Sequence, residues 1–256
     1  MLRFTANLSL LFTEYPLPDR FKAAKDHGFA AVEIQFPYVM PAERIQAALE
    51  ETGLQLVLFN VDADTLLQGG EGLAAVPEKR DRFKIAVEQA RAYAELLSPE
   101  AINILPGRCL QPDRFDEYLA TFQANLRHAA EVFAGLGINT VFEAVNSRDM
   151  PGFIIDNGQR MLEVLAEVDH PRIGLQYDIY HMKMMGEDCA LFLERHFDKI
   201  GHIQFADCPG RGQPGSGEVD FESLFAIIAH SPYRGWVGAE YRPIGSTEAS
   251  LGWLKT

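Results

Sequence analysis

The chain has 256 residues, of which 47% are hydrophobic and 23% charged, so it is long and apolar enough to bury a globular core. Asp and Glu number 36 against 23 Lys and Arg, and the net charge of −13 argues against nucleic-acid binding, which normally needs a basic face. A small anionic substrate remains compatible with this charge, because one cation or arginine can reverse the field inside a pocket.

The cysteines and the terminal sequence indicate the cellular setting. Cys109, Cys189 and Cys208 are widely spaced and form no Cys-x-x-Cys pair, which predicts free thiols in a reducing compartment rather than a zinc ribbon or a disulfide scaffold. Residues 1–10 lack the pattern of a signal peptide, and no apolar run approaches the roughly 20 residues of a membrane helix. We therefore expect a cytoplasmic protein with no membrane or nucleic-acid partner. A homo-oligomer is compatible with the sequence.

The first half of the chain alternates short apolar strands with amphipathic helices. Strands are predicted at 2–7, 31–36, 54–60 and 101–105, and helices at 18–25, 41–52, 80–97 and 115–136. Gly28, Gly53 and Gly137 follow three of these helices and are typical helix stops. Residues 61–79 contain a glycine-rich run and Pro77, and they predict a long loop.

The second half continues the same alternation. Strands are predicted at 140–143, from 173 to Asp178, at 200–205 and at 236–241, and helices at 158–168, 188–197, 221–229 and 247–254. Loops are predicted at 144–153 and 207–217. Eight strand–helix units without a linker predict a single-domain (β/α)8 TIM barrel, an α/β fold, over residues 1–256. A doubly wound open sheet is the alternative, although no Gly-x-Gly-x-x-Gly follows a predicted strand.

Four predicted strands carry an oxygen-bearing side chain at their last or next-to-last position, and successive members lie about one strand–helix unit apart. These residues are Glu143, Asp178, Gln204 and Glu240. In a TIM barrel such strand ends meet at the mouth where active sites are built. Three carboxylates converging there would repel without a cation, and an all-oxygen ligand set favours Mg²⁺ or Mn²⁺ over zinc or copper. The alternative is four unrelated polar residues at the loop border.

Six segments, spread almost from end to end, carry a family resemblance. They are MLRFTANLS (1–9), EAVNSRDMPGF (143–153), QYDIYHM (176–182), GHIQFAD (201–207), GSGE (215–218) and GWVGAEY (235–241). In combination they resemble the hydroxypyruvate isomerases, which belong to the xylose isomerase-like barrels and have the ketose 3-epimerases as cousins.

The resemblance implies an isomerase that converts hydroxypyruvate to tartronate semialdehyde in glyoxylate-type metabolism. It also implies a divalent metal held by Glu143, Asp178, Gln204 and Glu240, with Glu143 and Glu240 as acid and base. Many of the epimerases have a histidine where this chain has Gln204. That departure favours a harder cation.

Further candidates lie in the loops beside these strand ends. His181 is expected to donate a hydrogen bond to a substrate oxygen, as the resemblance supports, or else to be a structural loop histidine. Arg211 and Arg108 are rivals for holding the substrate carboxylate in a bidentate pair, and each could instead be a surface arginine. Asp149 matches a substrate-contacting acid of the epimerases, or it caps the turn before Pro151.

Two asparagines and three other activities complete the predictions. Asn7 and Asn60, at the ends of the first and third strands, are expected to line the pocket unless they serve turn chemistry. A 2-oxotetronate isomerase is the nearest alternative function, followed by a metal-dependent cyclitol dehydratase. A DNA-repair phosphodiesterase would need clustered metals, many histidines and a basic groove, which the −13 charge and seven histidines disfavour.

Overall fold

The computed structural model describes residues 2–255. Met1, which opens the first resemblance segment, and Thr256, which ends the predicted domain, lie outside the described residues. The described chain contains eight parallel strands: β1 (Phe4–Asn7), β2 (Ala31–Ile34), β3 (Gln55–Asn60), β4 (Ala101–Ile104), β5 (Asn139–Glu143), β6 (Ile173–Asp178), β7 (Ile200–Phe205) and β8 (Val237–Ala239).

These strands form a closed barrel. Each strand pairs with its neighbours in sequence, and β1 also pairs with β8, so that Thr5 lies opposite both Ala31 and Gly238. An open doubly wound sheet would instead leave two edge strands with unpaired backbone groups. The closed ring excludes that alternative and confirms the predicted TIM barrel.

Helices cover the outside of the barrel in the described chain: α1 (Leu17–Asp26), α2 (Ala42–Thr52), α3 (Arg80–Leu97), α4 (Phe115–Ala134), α5 (Gly158–Val168), α6 (Ile179–Met184), α7 (Cys189–His196), α8 (Phe221–His230) and α9 (Thr247–Ser250). In α4, Tyr118, Phe122, Leu126 and Phe133 recur at helical spacing and are all buried. Burial of one apolar side against the sheet is what holds such a helix in place. Within residues 2–255, no helix has the length and apolar character needed to cross a membrane.

The chain after Asp178 differs from the predicted course. We expected a loop carrying His181, and the structure instead forms the short helix α6 at this point. Asp178 caps it, since its Oδ1 accepts the backbone N–H of Tyr180 at 2.8 Å, which satisfies a helix N–H that has no carbonyl partner. The helix places His181 three residues beyond Asp178, on the same side of the turn.

The end of the chain also differs slightly. Strand β8 stops at Ala239, so Glu240 lies just beyond it rather than inside it. The predicted helix 247–254 is divided into α9 and a 3₁₀ helix over Leu251–Lys255.

The inside of the barrel is polar near its mouth. Glu33 on β2 accepts a hydrogen bond from Nε2 of His202 on β7 at 2.7 Å. These strands are not neighbours in the ring, so the bond must cross the interior. Because strand side chains alternate between faces, Gln204 points inward with His202. We call this set the interior polar layer: Asn7, Glu33, Asn103, Gln176, His202 and Gln204, all of them buried.

Candidate active site

The structure brings the four predicted metal ligands to the mouth of the barrel. They lie at the ends of four consecutive strands, and Asp178 is the register partner of Gln204 across β6 and β7. All four side chains are withdrawn from solvent, with residue exposures of 5% for Glu143, 1% for Asp178, 1% for Gln204 and 4% for Glu240. Buried carboxylates are costly unless they are paired, hydrogen-bonded or bound to a cation.

Amide groups of the interior polar layer hold Glu143 and Gln204. Glu143 Oε2 accepts from Asn103 Nδ2 at 3.2 Å and from Gln176 Nε2 at 3.0 Å. The same Gln176 nitrogen donates to Gln204 Oε1 at 2.6 Å. One amide therefore links two of the predicted ligands, and the other oxygen of Glu143, Oε1, faces His181 at 3.8 Å.

Asp178 is only half satisfied. Its Oδ1 caps α6, whereas its fully buried Oδ2 has no hydrogen-bond partner among residues 2–255. The nearest cationic or potentially cationic atoms are His181 Nε2 at 3.6 Å and Arg211 Nη2 at 3.7 Å, both beyond ordinary hydrogen-bond distance. A buried carboxylate oxygen in this position is suited to accept a ligand that the protein itself does not supply.

Glu240 is held from both sides. Its Oε1 accepts from Asn7 Nδ2 at 2.9 Å and from Gln35 Nε2 at 2.8 Å, and its Oε2 accepts from Arg211 Nη2 at 2.5 Å. The Nη2 atom of Arg211 thus bridges Glu240 and Asp178. In this structure the guanidinium supplies the positive charge between the carboxylates.

A loop closed by backbone hydrogen bonds places Arg211 in this position. Arg211 has a φ of +57°, a left-handed conformation that is unfavourable for a side chain of this size and must be imposed by its surroundings. Asp207 accepts backbone N–H groups from Cys208, Gly215, Gly217 and Val219, which closes the loop around one carboxylate. The Arg211 carbonyl also accepts from the Arg242 N–H at 2.7 Å.

The carboxyl groups of the site have altered acidities. Burial raises the pKa of Glu143 well above its ordinary value, and the nearby Glu240 and Asp178 carboxylates add to the shift. Burial raises the pKa of Asp178 to about 7, although Arg211 opposes the change. Burial likewise raises the pKa of Glu240 against the opposing effect of Arg211. A raised pKa lets each of these carboxyl groups hold a proton more readily than an exposed carboxylate does, which suits acid–base catalysis.

Glu143, Asp178 and His181 form a compact buried group that could hold a metal ion, with one potential ligand atom from each lying within 4.8 Å of the others. The hydrogen bonds of His181, however, indicate which ring nitrogen carries the proton. Its Nδ1 lies 2.7 Å from Asn146 Nδ2 and 3.3 Å from the Asn146 backbone N, both of which can only donate. The Asn146 amide is oriented in turn by Asp149, whose backbone N–H donates to its Oδ1. The neutral ring therefore carries its proton on Nε2, facing Glu143 and Asp178.

Burial also keeps His181 neutral. It lowers the pKa of His181 well below its ordinary value of 6.5, and the charge of Arg211 acts in the same direction. A neutral imidazole with Nε2–H directed into the site is a hydrogen-bond donor for a substrate oxygen.

Three of the remaining predicted residues are linked to the site by hydrogen bonds, and one is not. Asn7 contacts Glu240, and Asn60 accepts from Asn103, which itself binds Glu143. Asp149 is connected to His181 through Asn146, whose Nδ2 contacts His181 and donates to Asp149 Oδ2 at 3.0 Å. Arg108 donates instead to the carbonyls of Gly69 and Pro151, both at 2.7 Å, and so ties two loops together rather than joining the carboxylates.

Glu33 and most of the interior polar layer were not predicted from the sequence. Glu33 is fully buried in an otherwise apolar strand, which is the same signal that drew attention to Asp178. Tyr180 is a further residue of this group. In the structure its hydroxyl donates to Asp149 Oδ2 at 2.7 Å and its ring lies 5.2 Å from the Arg211 guanidinium. Gln35 and Asn146 had no pattern of their own, since polar residues in loops are common.

Comparison with known proteins assigns the family. A family model described as xylose isomerase-like TIM barrel matches residues 21–256. Hydroxypyruvate isomerase of Escherichia coli (strain K12) is 39% identical over 254 residues, covering 99% of this chain and 98% of the relative. The 2-oxo-tetronate isomerase of Pectobacterium atrosepticum is 37% identical, covering 100% of this chain and 97% of the relative.

A solved structure agrees in detail with the fold. A crystal structure from Brucella melitensis, described as AP endonuclease, family 2, superposes with a TM-score of 0.96 at 35% identity. The match covers 100% of this chain and 98% of that chain. The chain therefore belongs to the xylose isomerase-like TIM barrel family and, within it, to the isomerases that include hydroxypyruvate isomerase.

Proposed function

We propose that this protein interconverts hydroxypyruvate and tartronate semialdehyde (2-hydroxy-3-oxopropanoate). The observation that carries the proposal is the set of three buried carboxylates, Glu143, Asp178 and Glu240, gathered around the guanidinium of Arg211. The relative named hydroxypyruvate isomerase, at 39% identity over nearly the whole chain, supports the choice of substrate.

The donor set fits a hard divalent cation, Mg²⁺ or Mn²⁺. Glu143, Asp178, Gln204 and Glu240 would hold it through oxygen, and the unpartnered buried Oδ2 of Asp178 is the atom most in need of a cation. We exclude His181 from the ligand set, since its Nε2 carries the proton. When bound, such an ion polarises the substrate's oxygens and so makes the adjacent C–H more acidic.

The residues then move protons along the substrate. One of the carboxylates Glu143 and Glu240 takes the proton from C3, which leaves an enediolate, and the same or the opposite group returns a proton to C2. The O3–H proton passes to O2 in the same exchange. The ketone thus becomes a hydroxyl and the hydroxymethyl group becomes an aldehyde, with no change in overall composition. Because the pKa of both glutamates is raised, each is an effective base when ionised. Each can also hold the transferred proton until it is returned to the substrate.

His181 and Arg211 bind and orient the substrate. His181 donates its Nε2–H to the C2 oxygen, where negative charge develops. Arg211 takes the carboxylate of the 2-oxo acid, for which its buried Nε offers a donor without a partner in the described chain. Because Arg211 lies beside Glu240, a substrate held by Arg211 has its reacting carbons next to the Glu240 carboxylate.

A second substrate, 2-oxotetronate, needs the same chemistry on a longer chain. The relatives named 2-oxo-tetronate isomerase, at 37% identity, favour it as the alternative. The test is to strip the purified protein with a chelator, restore Mg²⁺ or Mn²⁺ separately, and follow both substrates in parallel by NMR. We expect the aldehyde to form from hydroxypyruvate only after the metal is restored. Of the two substrates, hydroxypyruvate should have the higher kcat/KM.

The same experiment separates the other activities. Preference for 2-oxotetronate would move the assignment to that substrate, and undiminished turnover with chelator present would refute the metal-assisted scheme. Loss of water from a cyclitol, seen by mass, would indicate a dehydratase. Cleavage of an abasic-site oligonucleotide would support the description given to the Brucella structure, but we expect none because the chain carries a net charge of −13.

A further inference from the structure

The buried carboxylate of Glu33 lies beneath the proposed metal ligands and contacts one of them. Its Oε2 accepts from Gln204 Nε2 at 2.7 Å and from Asn7 Nδ2 at 3.4 Å, and its Oε1 accepts from His202 Nε2 at 2.7 Å. Glu33 is 0% exposed. Within residues 2–255 no lysine or arginine forms an ion pair with this group, and Gln204, Asn7 and His202 are its side-chain donors.

Gln204 needs such a partner because its amide has two ends of nearly equal size. The oxygen end can bind a cation and the nitrogen end cannot, since an amide nitrogen only donates. A carboxylate oxygen accepts, so the contact with Glu33 requires the nitrogen of Gln204 to point down into the barrel. The oxygen must then point toward the strand ends.

The oxygen end of Gln204 retains the capacity for a cation. It accepts one hydrogen bond, from Gln176 Nε2 at 2.6 Å, and a carbonyl oxygen has two lone pairs. The Gln176 nitrogen also donates to Glu143, so the row of contacts runs from Glu33 through Gln204 and Gln176 to a second proposed ligand. Glu143 fixes the direction of the Gln176 donor at one end of this row, and Glu33 accepts the Gln204 nitrogen at the other end.

Strand β8 leaves room for this arrangement. Gly238 is the register partner of Gln204, and a Cβ atom on Gly238 would collide with the carboxyl group of Glu33. The φ of Gly238 is not in the left-handed region that favours glycine. The requirement at this position is therefore space for Glu33 rather than backbone freedom.

We propose that Glu33 is a positioning residue, which fixes the amide of Gln204 with its oxygen toward the metal site. The inference rests on the proposed function, because it takes Gln204 to be a ligand. A change at Glu33 should therefore weaken metal binding through Gln204 and not independently of it.

A double-mutant cycle tests this with Mn²⁺ binding measured by calorimetry on the full chain. We expect Gln204→Ala to weaken Mn²⁺ binding, and Glu33→Gln to weaken it about tenfold to a hundredfold, the range found when a group supporting a metal ligand is lost. In the Gln204→Ala background, Glu33→Gln should have no further effect. The cycle also distinguishes positioning from a simple charge effect. Loss of the Glu33 negative charge alone would weaken Mn²⁺ binding equally in the wild type and in Gln204→Ala.

A second variant keeps the charge. Gly238→Ala displaces the Glu33 carboxylate without removing it, and it should weaken Mn²⁺ binding only when Gln204 is present. Circular dichroism of the metal-free protein shows whether Glu33→Gln folds. If it does not fold, Gly238→Ala provides the same test.

Each failure has a distinct meaning. Unchanged Mn²⁺ affinity in Glu33→Gln, or equal losses in both backgrounds, overturns the role of Glu33 while leaving the ligand set in place. Unchanged affinity in Gln204→Ala shows instead that Gln204 is not a ligand, which removes the proposed metal set and the inference with it.

Discussion

Arg211 donates to Glu240 at 2.5 Å, and the Glu240 side chain is 5% exposed while that of Arg211 is 18% exposed. The same nitrogen lies 3.7 Å from Asp178. One arginine therefore compensates two carboxylates that the proposed metal would also bind. If the proposed metal binds, charge balance at the mouth is shared between the guanidinium and that cation, and this relation has measurable consequences.

Arg211→Ala should destabilise the metal-free protein by about 3–5 kcal/mol at pH 8, since it leaves buried carboxylates without a counter-charge. Saturating Mn²⁺ should recover a large part of that loss. Urea unfolding with chelator and with Mn²⁺ measures both quantities. The matched control is Arg108→Ala, which removes hydrogen bonds to two loop carbonyls and should cost about 1–3 kcal/mol whether or not Mn²⁺ is present. An equal loss in the two conditions for Arg211→Ala would contradict the shared charge balance.

Glu240→Gln should lower kcat by about 10²–10⁴-fold, because the amide cannot carry the proton that the carboxyl group transfers. The isosteric change keeps the contact surface, so circular dichroism and the melting temperature should indicate an intact fold. Glu100→Gln is the control, since Glu100 directly precedes β4 and therefore lies at the end of the barrel opposite the mouth, where it binds Gln55 and Trp236. That variant should keep the wild-type kcat. Full activity in Glu240→Gln would end the acid–base assignment.

The metal-free protein should lose stability as the pH rises from about 4 to about 7. Asp178 has a pKa of about 7 in the folded protein against an ordinary value of 3.8, so the folded chain keeps a proton that the unfolded chain has released. Stability contributed by that proton is present below pH 4 and is lost by the time the pH exceeds 7. Melting temperatures measured against pH, in chelator, should fall less steeply for Asp178→Asn than for the wild type.

Addition of Mn²⁺ should raise the melting temperature more at pH 8 than at pH 5, because the cation replaces the protons of the carboxyl groups. Parallel slopes for the wild type and Asp178→Asn, or a Mn²⁺ effect independent of pH, would contradict the raised pKa of Asp178.

His181 should be a neutral imidazole with its proton on Nε2, even somewhat below pH 6.5, because burial lowers its pKa and Asn146 donates to Nδ1. Long-range ¹H–¹⁵N NMR of the metal-free protein distinguishes the two tautomers and the charged form. Asn146→Ala removes one of the two donors and should lower kcat about tenfold, which is the scale of one net hydrogen bond. A proton found on Nδ1 in the wild type would return His181 to the candidate metal ligands.

Prediction from sequence succeeded where a local signal coincided with the overall pattern. The repeated strand–helix pattern indicated the barrel, and the polar residues at four strand ends, Asp178 among them, do lie together at its mouth. Glu33 offered the same signal in β2 and was missed, since it lies inside the predicted strand 31–36 rather than at its end. The helix after Asp178 was missed because its capping depends on a backbone turn that periodicity does not reveal over six residues.

The sequence by itself determined the strand–helix order, the family and the four strand-end residues, because these depend on spacing along the chain. Only the tertiary structure decided that Arg211, rather than Arg108, meets Glu240, and that Glu33 reaches across the barrel to Gln204 and His202. These contacts join residues more than 25 positions apart, and closure of the ring sets their distances. No local pattern records which buried donor faces which acceptor.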